Sequence, residues 1–303
     1  MLTRREFTQL TIGTLALPAL GSGQSVVSGV RLGVQTYSFR DLPRTPGGDA
    51  SDAIISAMTA CGLTDCELWA PQIEPAAPGA RGARPTPEQQ QKARDDLRRW
   101  RLETPLDHFR GIGKKFAAAG HTIYGYNFGF TAGLSDDEID RTFEIARALG
   151  AEIVTSSTTL PVARRVVPFA ERHQMIVAMH NHSNVKDPNE FATPESFAAA
   201  LRMSKEYRVN LDIGHFTAAN FDPVAYIREH HATITNLHIK DRKRDQGDNT
   251  PWGQGDTPIR DVLQLLKRER WPIRAHVEYE YRGTGTSVEE VKACAAFARQ
   301  ALA

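Results

Sequence analysis

The residues best suited to chemistry crowd into one stretch, residues 209–241, which reads VNLDIGHFTAANFDPVAYIREHHATITNLHIKD. It holds two short β-like runs, and each ends on groups that bind metals or move protons. The first, residues 209–212, stops on Asp212 and is followed by His215. The second, residues 233–239, carries His238 and runs into Lys240 and Asp241. A helix-like segment over residues 223–231 lies between them, so the stretch reads as strand, helix, strand. In parallel α/β folds ligands gather beyond the carboxyl ends of the strands. A carboxylate and imidazoles at such ends point to a metal site.

Placing those groups requires a frame, and the rest of the chain supplies it. Short apolar runs alternate with longer amphipathic ones. Strands are expected over residues 31–37, 64–69, 122–128, 152–156 and 175–179, then the two above, then 273–279. Helical sequence falls at 49–61, 88–101, 106–119, 135–149, 161–173, from 193, 223–231, 258–268 and 287–302. Ser135 is a natural N-cap with Glu138 at the capping-box position. Thr193 and Pro194 open their helix as cap and first helical residue. Residues 71–87, PQIEPAAPGARGARPTP, are too dense in breakers for regular structure. Eight strands alternating with helices, with no composition break, predict a single (β/α)₈ barrel domain over residues 31–302. The Gly-rich dinucleotide fingerprint is missing after the first strand, where TYSFRD stands, so no nucleotide cofactor is expected.

In a barrel the strand ends form one face. Read in order they supply Gln35 and Tyr37; Glu67 and Trp69; Tyr124, Tyr126 and Asn127; residues 155–159; and His180, Asn181 and His182. The last strands add Asp212, His215, His238, Asp241, Glu278 and Glu280. Four consecutive strands ending in His, Asp or Glu are hard to explain by packing, because unpaired buried charges are costly. A divalent cation resolves that cost. The expected ligands are His180, Asp212, His238 and Glu278, with Glu280 an alternative to Glu278 because both lie on one face by period two. This mixed N/O set suits manganese first, with zinc, cobalt or iron next, better than calcium. His182, His215, Lys240, Asp241 and Arg242 are expected at the substrate, while Trp69 and Tyr126 offer flat faces to a sugar ring.

With Lys+Arg 37 against Asp+Glu 36 and a net charge of +1, the chain lacks the basic footprint of a nucleic-acid binder. The three cysteines, Cys61, Cys66 and Cys294, have no zinc-finger spacing and read as small core residues. Residues 1–23, MLTRREFTQLTIGTLALPALGSG, combine Arg4-Arg5 with an apolar run and then small residues. This is the pattern of a twin-arginine-type export signal, too short in its apolar run to span a bilayer. A periplasmic protein without stable membrane insertion is therefore expected.

Several stretches taken together resemble the xylose isomerase-like TIM barrels of the sugar phosphate isomerase/epimerase type. They are LGVQTYSFRD, ELW, HNH, LDIGH, LHIKDR, GQGDTPI and HVEYEY, in that order across residues 31–301. In ketose 3-epimerases of this group a Glu, Asp, His, Glu set holds one divalent metal, and the two glutamates are opposed acid/base groups. The resemblance places Asp212, His238 and Glu278 in three of those positions and Arg242 at the substrate. It also allows a homo-oligomer, since such barrels often pair. The fifth strand departs from the pattern, with His180 where the family has Glu.

The expectation that follows is a divalent-metal-dependent isomerase or epimerase of a non-phosphorylated sugar or keto-sugar. Glu278 moves the proton, with His180 or Glu67 as partner. The departure at His180 keeps a lyase or hydrolase of 3-keto-glycosides as the alternative, with a non-catalytic sugar-binding barrel after it. The related endonucleases for abasic DNA would need more His and Asp ligands and a basic surface.

Overall fold

The computed structural model describes residues 25–44, 48–75 and 85–303. The export signal expected over residues 1–23, and most of the breaker-rich loop, lie outside them. Nine strands make one sheet: β1 (Val26–Val27), β2 (Val30–Gln35), β3 (Asp65–Trp69), β4 (Thr122–Asn127), β5 (Ile153–Ser157), β6 (Ile176–His180), β7 (Tyr207–Asp212), β8 (Ile234–Ile239) and β9 (Arg274–Val277). β1 is a short antiparallel partner of β2. From β2 to β9 each strand pairs parallel with the next, and β9 pairs with β2, closing an eight-stranded barrel. Helices connect the strands and pack around the outside, which is the expected (β/α)₈ architecture.

Alternation along the strands, interrupted by register shifts near Glu67 and Asn210, sorts the side chains. Leu32, Val34, Cys66, Leu68, Tyr126, Val154, Val177, Val209, Leu211, Leu237, Ile239 and Val277 join the buried apolar layer under the helices. The alternate positions, among them Gln35, Glu67, Thr155, Asn210, Asn236, His238 and His276, meet one another inside the barrel. The barrel centre is therefore polar. All three cysteines are buried and free, as core residues should be.

Helix starts follow their caps. Ser135 accepts from the Glu138 N–H while Glu138 reaches back to the Ser135 N–H, so the expected capping box forms. Thr86 and Thr286 do the same for Pro87–Glu103 and Ser287–Leu302. Two features differ from expectation. A short helix, Ile213–Ala218, follows β7 directly, with the Asp212 side chain accepting from the His215 N–H as its cap. β9 ends at Val277, so Glu278 stands just past the strand, although its N–H still donates to Ile239 O.

Candidate metal centre

Four strand ends deliver four donor side chains to one point. His180 is the last residue of β6, Asp212 the last of β7, His238 the next to last of β8, and Glu278 follows β9. One ligand atom from each lies within 4.8 Å of all the others, and all four residues are buried. Their surroundings aim them. Ser157 Oγ is 3.1 Å from His180 Nδ1, which turns Nε2 toward Asp212 Oδ2 at 3.5 Å. Neither of those two atoms has a hydrogen-bond partner, although both are fully buried. An imidazole nitrogen and a carboxylate oxygen aimed at each other without a hydrogen bond, the carboxylate paired only with the Lys240 ammonium, make a donor set that fits a divalent metal.

His238 is held from below. Its Nε2 lies 2.9 Å from Glu67 Oε2, and its Nδ1 lies 3.1 Å from Glu278 Oε2. Carboxylates only accept, so Nε2 donates to Glu67 and Nδ1 to Glu278; with Glu67 keeping its proton on Nε2, Nδ1 is the atom that would be left for a metal. Glu67 is itself surrounded by donors. Gln35 Nε2, Asn127 Nδ2 and Thr155 Oγ1 reach Oε1 at 2.8, 3.0 and 2.7 Å. Asn236 Nδ2 and Asn210 Nδ2 reach Oε2 at 2.8 and 3.2 Å. Burial alone would raise the Glu67 pKa, but the charges and hydrogen bonds of His238 and His276 outweigh it and hold it well below the usual range. Burial likewise opposes a charged His238, yet Glu67 and then Glu278 push its pKa well above that of a free imidazole.

On the open side, Lys240 Nζ is 2.9 Å from Asp212 Oδ2, 2.9 Å from Glu278 Oε2 and 2.7 Å from Glu280 Oε2. Burial raises the Glu278 pKa, but Lys240 and His238 overcome this and leave it lowered, so Glu278 is ionised at neutral pH. Above these groups opens a cavity of about 300 Å³, lined among others by Trp69, His182, His215, Lys240, Glu278 and Glu280. Tyr37 meets Trp69 edge-on at 4.8 Å in its wall. His182 stands half-exposed at the mouth, 3.2 Å from Glu190. Burial, then the nearby charges of His180 and Lys240, lower its pKa to about 4, so it is neutral at pH 7.

Several expected site residues sit elsewhere. Tyr126 points outward, fully buried beside Phe128, whose ring lies under Arg101, and cannot meet a ligand. Strand alternation sends it to the helix layer because Asn127 takes the inward place. Glu67 is not a partner base in the cavity. It lies beneath His238 with both oxygens saturated. Asp241 turns away, its carboxylate accepting from the N–H groups of Gly253, Gly255 and Thr257. Arg242 donates to Gly247 O, Ser183 Oγ and His215 Nδ1, so it braces His215 rather than lining the cavity. Of the two glutamates at β9, Glu278 joins the four donors and Glu280 pairs with Lys240. The inner residues Asn210, Asn236, Asp65 and His276 carry the network below the site, and the sequence reading passed over them. Their signal was present as period-two polar alternation in DCE, VNLD, ITNLHI and AHVE.

The sequence profile of the xylose isomerase-like TIM barrel matches residues 76–301, most of the chain. The chain belongs to that family. No curated protein matches it. Among solved structures that share this family's barrel is a sugar phosphate isomerase/epimerase from Parabacteroides distasonis, with a TM-score of 0.61 and 17% identity, covering 91% of this chain and 97% of that one. A second is the IOLI protein with a bound zinc atom, with a TM-score of 0.62 and 14% identity over 89% and 97% of the two chains. A third is the probable 3-DHS dehydratase AsbF from Bacillus anthracis, with a TM-score of 0.57 and 13% identity over 86% and 97%. At these identities the likeness is one of fold. None of the described helices is long and apolar enough to cross a membrane.

Proposed function

We propose that this xylose isomerase-like barrel is a divalent-metal-dependent isomerase or epimerase of a non-phosphorylated sugar or keto-sugar. The observation that carries the reading is the meeting of His180 Nε2 and Asp212 Oδ2, buried and without a hydrogen bond, with His238 and Glu278 around them. His180, Asp212, His238 Nδ1 and Glu278 would hold the ion, with manganese first in order and zinc, cobalt or iron next. Zinc in the IOLI structure supports a transition metal on this fold. When bound, such an ion polarises a substrate carbonyl and acidifies the neighbouring C–H.

The chain's own groups do the rest. Glu278, ionised and facing the cavity, accepts the carbon-bound proton. Lys240 lies between Glu278 and Glu280 in the cavity wall and brings a positive charge to the cavity. Trp69 and Tyr37 supply apolar faces for the sugar ring, and neutral His182 can hydrogen-bond a hydroxyl at the mouth. We place the protein in the periplasm, exported through its twin-arginine-type leader. Export supports a free sugar over a sugar phosphate, since phosphorylated sugars are mostly cytoplasmic.

A second reading, β-elimination or hydrolysis on a 3-keto-glycoside, is favoured by one observation. The described cavity has Glu278 and Glu280 side by side next to Lys240, with His180 where epimerases of this group have the opposing glutamate. Proton NMR in deuterated water separates the two. Metal-loaded protein is offered free ketoses and a 3-keto-glycoside. An epimer with deuterium at the inverted carbon supports the first reading, and a released aglycone the second. Glu278→Gln should cut either turnover by at least about a hundredfold while leaving the fold intact. Full activity in that variant would remove Glu278 from the mechanism.

A further inference from the structure

The cation beside the four donors belongs to the chain itself. Lys240 Nζ sits between Asp212 Oδ2 and Glu278 Oε2, oxygens of two of the four candidate ligands, with Glu280 Oε2 on its outer side. Lys240 is among the largest fully buried side chains of the molecule. The base of its stem lies close against Gly214, where an added Cβ would fall 2.8 Å from Lys240 O and 3.0 Å from its Cβ and Cγ.

The ammonium is also imperfectly housed. Asp212 Oδ2 makes no hydrogen bond although Nζ lies 2.9 Å away, so the two groups pair by charge alone. His215 adds a second mismatch. Arg242 Nη1 lies 2.6 Å from His215 Nδ1, and a guanidinium can only donate. Nδ1 is therefore the acceptor, and the ring proton sits on Nε2, which faces Lys240 Nζ at 3.0 Å. Two donors confront each other there.

We propose that Lys240 is a tethered counter-ion of the metal site, displaced from Asp212 and Glu278 when a divalent ion binds and then held by Glu280. This inference rests on the metal reading above. It says that two cations compete for the same two oxygens. While the site is empty of metal, the ammonium offsets the buried carboxylates and lets the barrel fold. When an ion arrives, repulsion between like charges a few ångströms apart in a buried site opposes it until the ammonium moves. Withdrawal toward Glu280 also ends the confrontation with His215 Nε2. Lys240 thus lowers the affinity for metal, and Glu280 restores part of it by receiving the ammonium.

The test is a cobalt(II) titration of metal-stripped protein, followed by calorimetry and by the visible absorption of the bound ion. Wild type, Lys240→Met, Glu280→Gln and the double variant are compared, each checked by circular dichroism for a native melt. Methionine keeps the stem's length without its charge. Lys240→Met should bind cobalt at least about tenfold more tightly than wild type. Glu280→Gln should bind more weakly, and that weakening should shrink once Lys240 is gone, as coupling between the two sites requires. Should Lys240→Met fail to fold, the weaker binding of Glu280→Gln carries the proposal alone, and unchanged binding there overturns it. Equal or weaker binding by folded Lys240→Met overturns the displacement and leaves the metal site standing. No binding by any of the four proteins removes both.

Discussion

His238 meets a carboxylate on each side, and the two have different work. Glu67 below fixes the ring's proton on Nε2, while Glu278 above lines the cavity. Because Glu67 and Glu278 raise the His238 pKa against the effect of burial, the metal-free imidazole is protonated at neutral pH. An ion that ligates Nδ1 must expel that proton. Metal affinity should therefore fall as pH drops below the raised pKa and climb as pH rises toward it. Calorimetry in buffers of different ionisation enthalpy should show proton release near neutrality, and binding with no release would contradict this assignment. Glu67→Gln places an amide among five donors, Gln35, Asn127, Thr155, Asn210 and Asn236. It should lower stability by about 1–3 kcal/mol and weaken metal binding by roughly 10–100-fold. Denaturant melts and metal titration check the two effects separately. At this scale the sequence showed which residue types end the strands, and His180, Asp212, His238 and Glu278 do converge. It could not show that Glu67 would be saturated from five other elements. Those contacts join residues as far apart as Glu67 and Asn236, and no local pattern encodes them.

The strands of the second half set the donors, and the loop after β8 frames the cavity behind them. Asp241 organises that loop by accepting three N–H groups across two oxygens, from Gly253, Gly255 and Thr257. The Asp241 to Asn change leaves one acceptor oxygen and introduces an N–H₂ that faces other donors. It should loosen residues 242–257 without unfolding the barrel. Limited proteolysis should then cut the variant in this loop several times faster than wild type, and equal cleavage would show that the loop is held otherwise. Helix starts such as Ser135 with Glu138 were legible because a cap is a local device. The short helix Ile213–Ala218 was not, since six residues carry little periodicity and its cap, Asp212, reads first as a strand end. Tyr126 was misplaced for a related reason. One residue of register separates the inner face from the outer, and the irregular pairing near Cys66 and Glu67 shifts that register at β4.

Across the whole molecule, the eightfold alternation of strand and helix made the barrel readable, because each βα unit repeats the same short-range pattern. Harder to read was a barrel whose centre is polar, with Asp65, His276, Glu67 and His238 in successive contact. Such an interior is tolerated because most of its groups find partners; Asp65 Oδ2, His180 Nε2 and Asp212 Oδ2 make no hydrogen bond, and the last two lie where the site opens, with Lys240 paired to Asp212. The whole account turns on those two atoms. The most direct test is elemental analysis of the mature protein, wild type against Asp212→Asn. Asparagine keeps an oxygen to cap Ile213–Ala218, so the fold should survive while the ligand charge is lost. The account predicts about one transition-metal ion per wild-type chain and a small fraction of that in the folded variant. Wild-type protein that takes up no metal, or a variant that takes up as much, would contradict it.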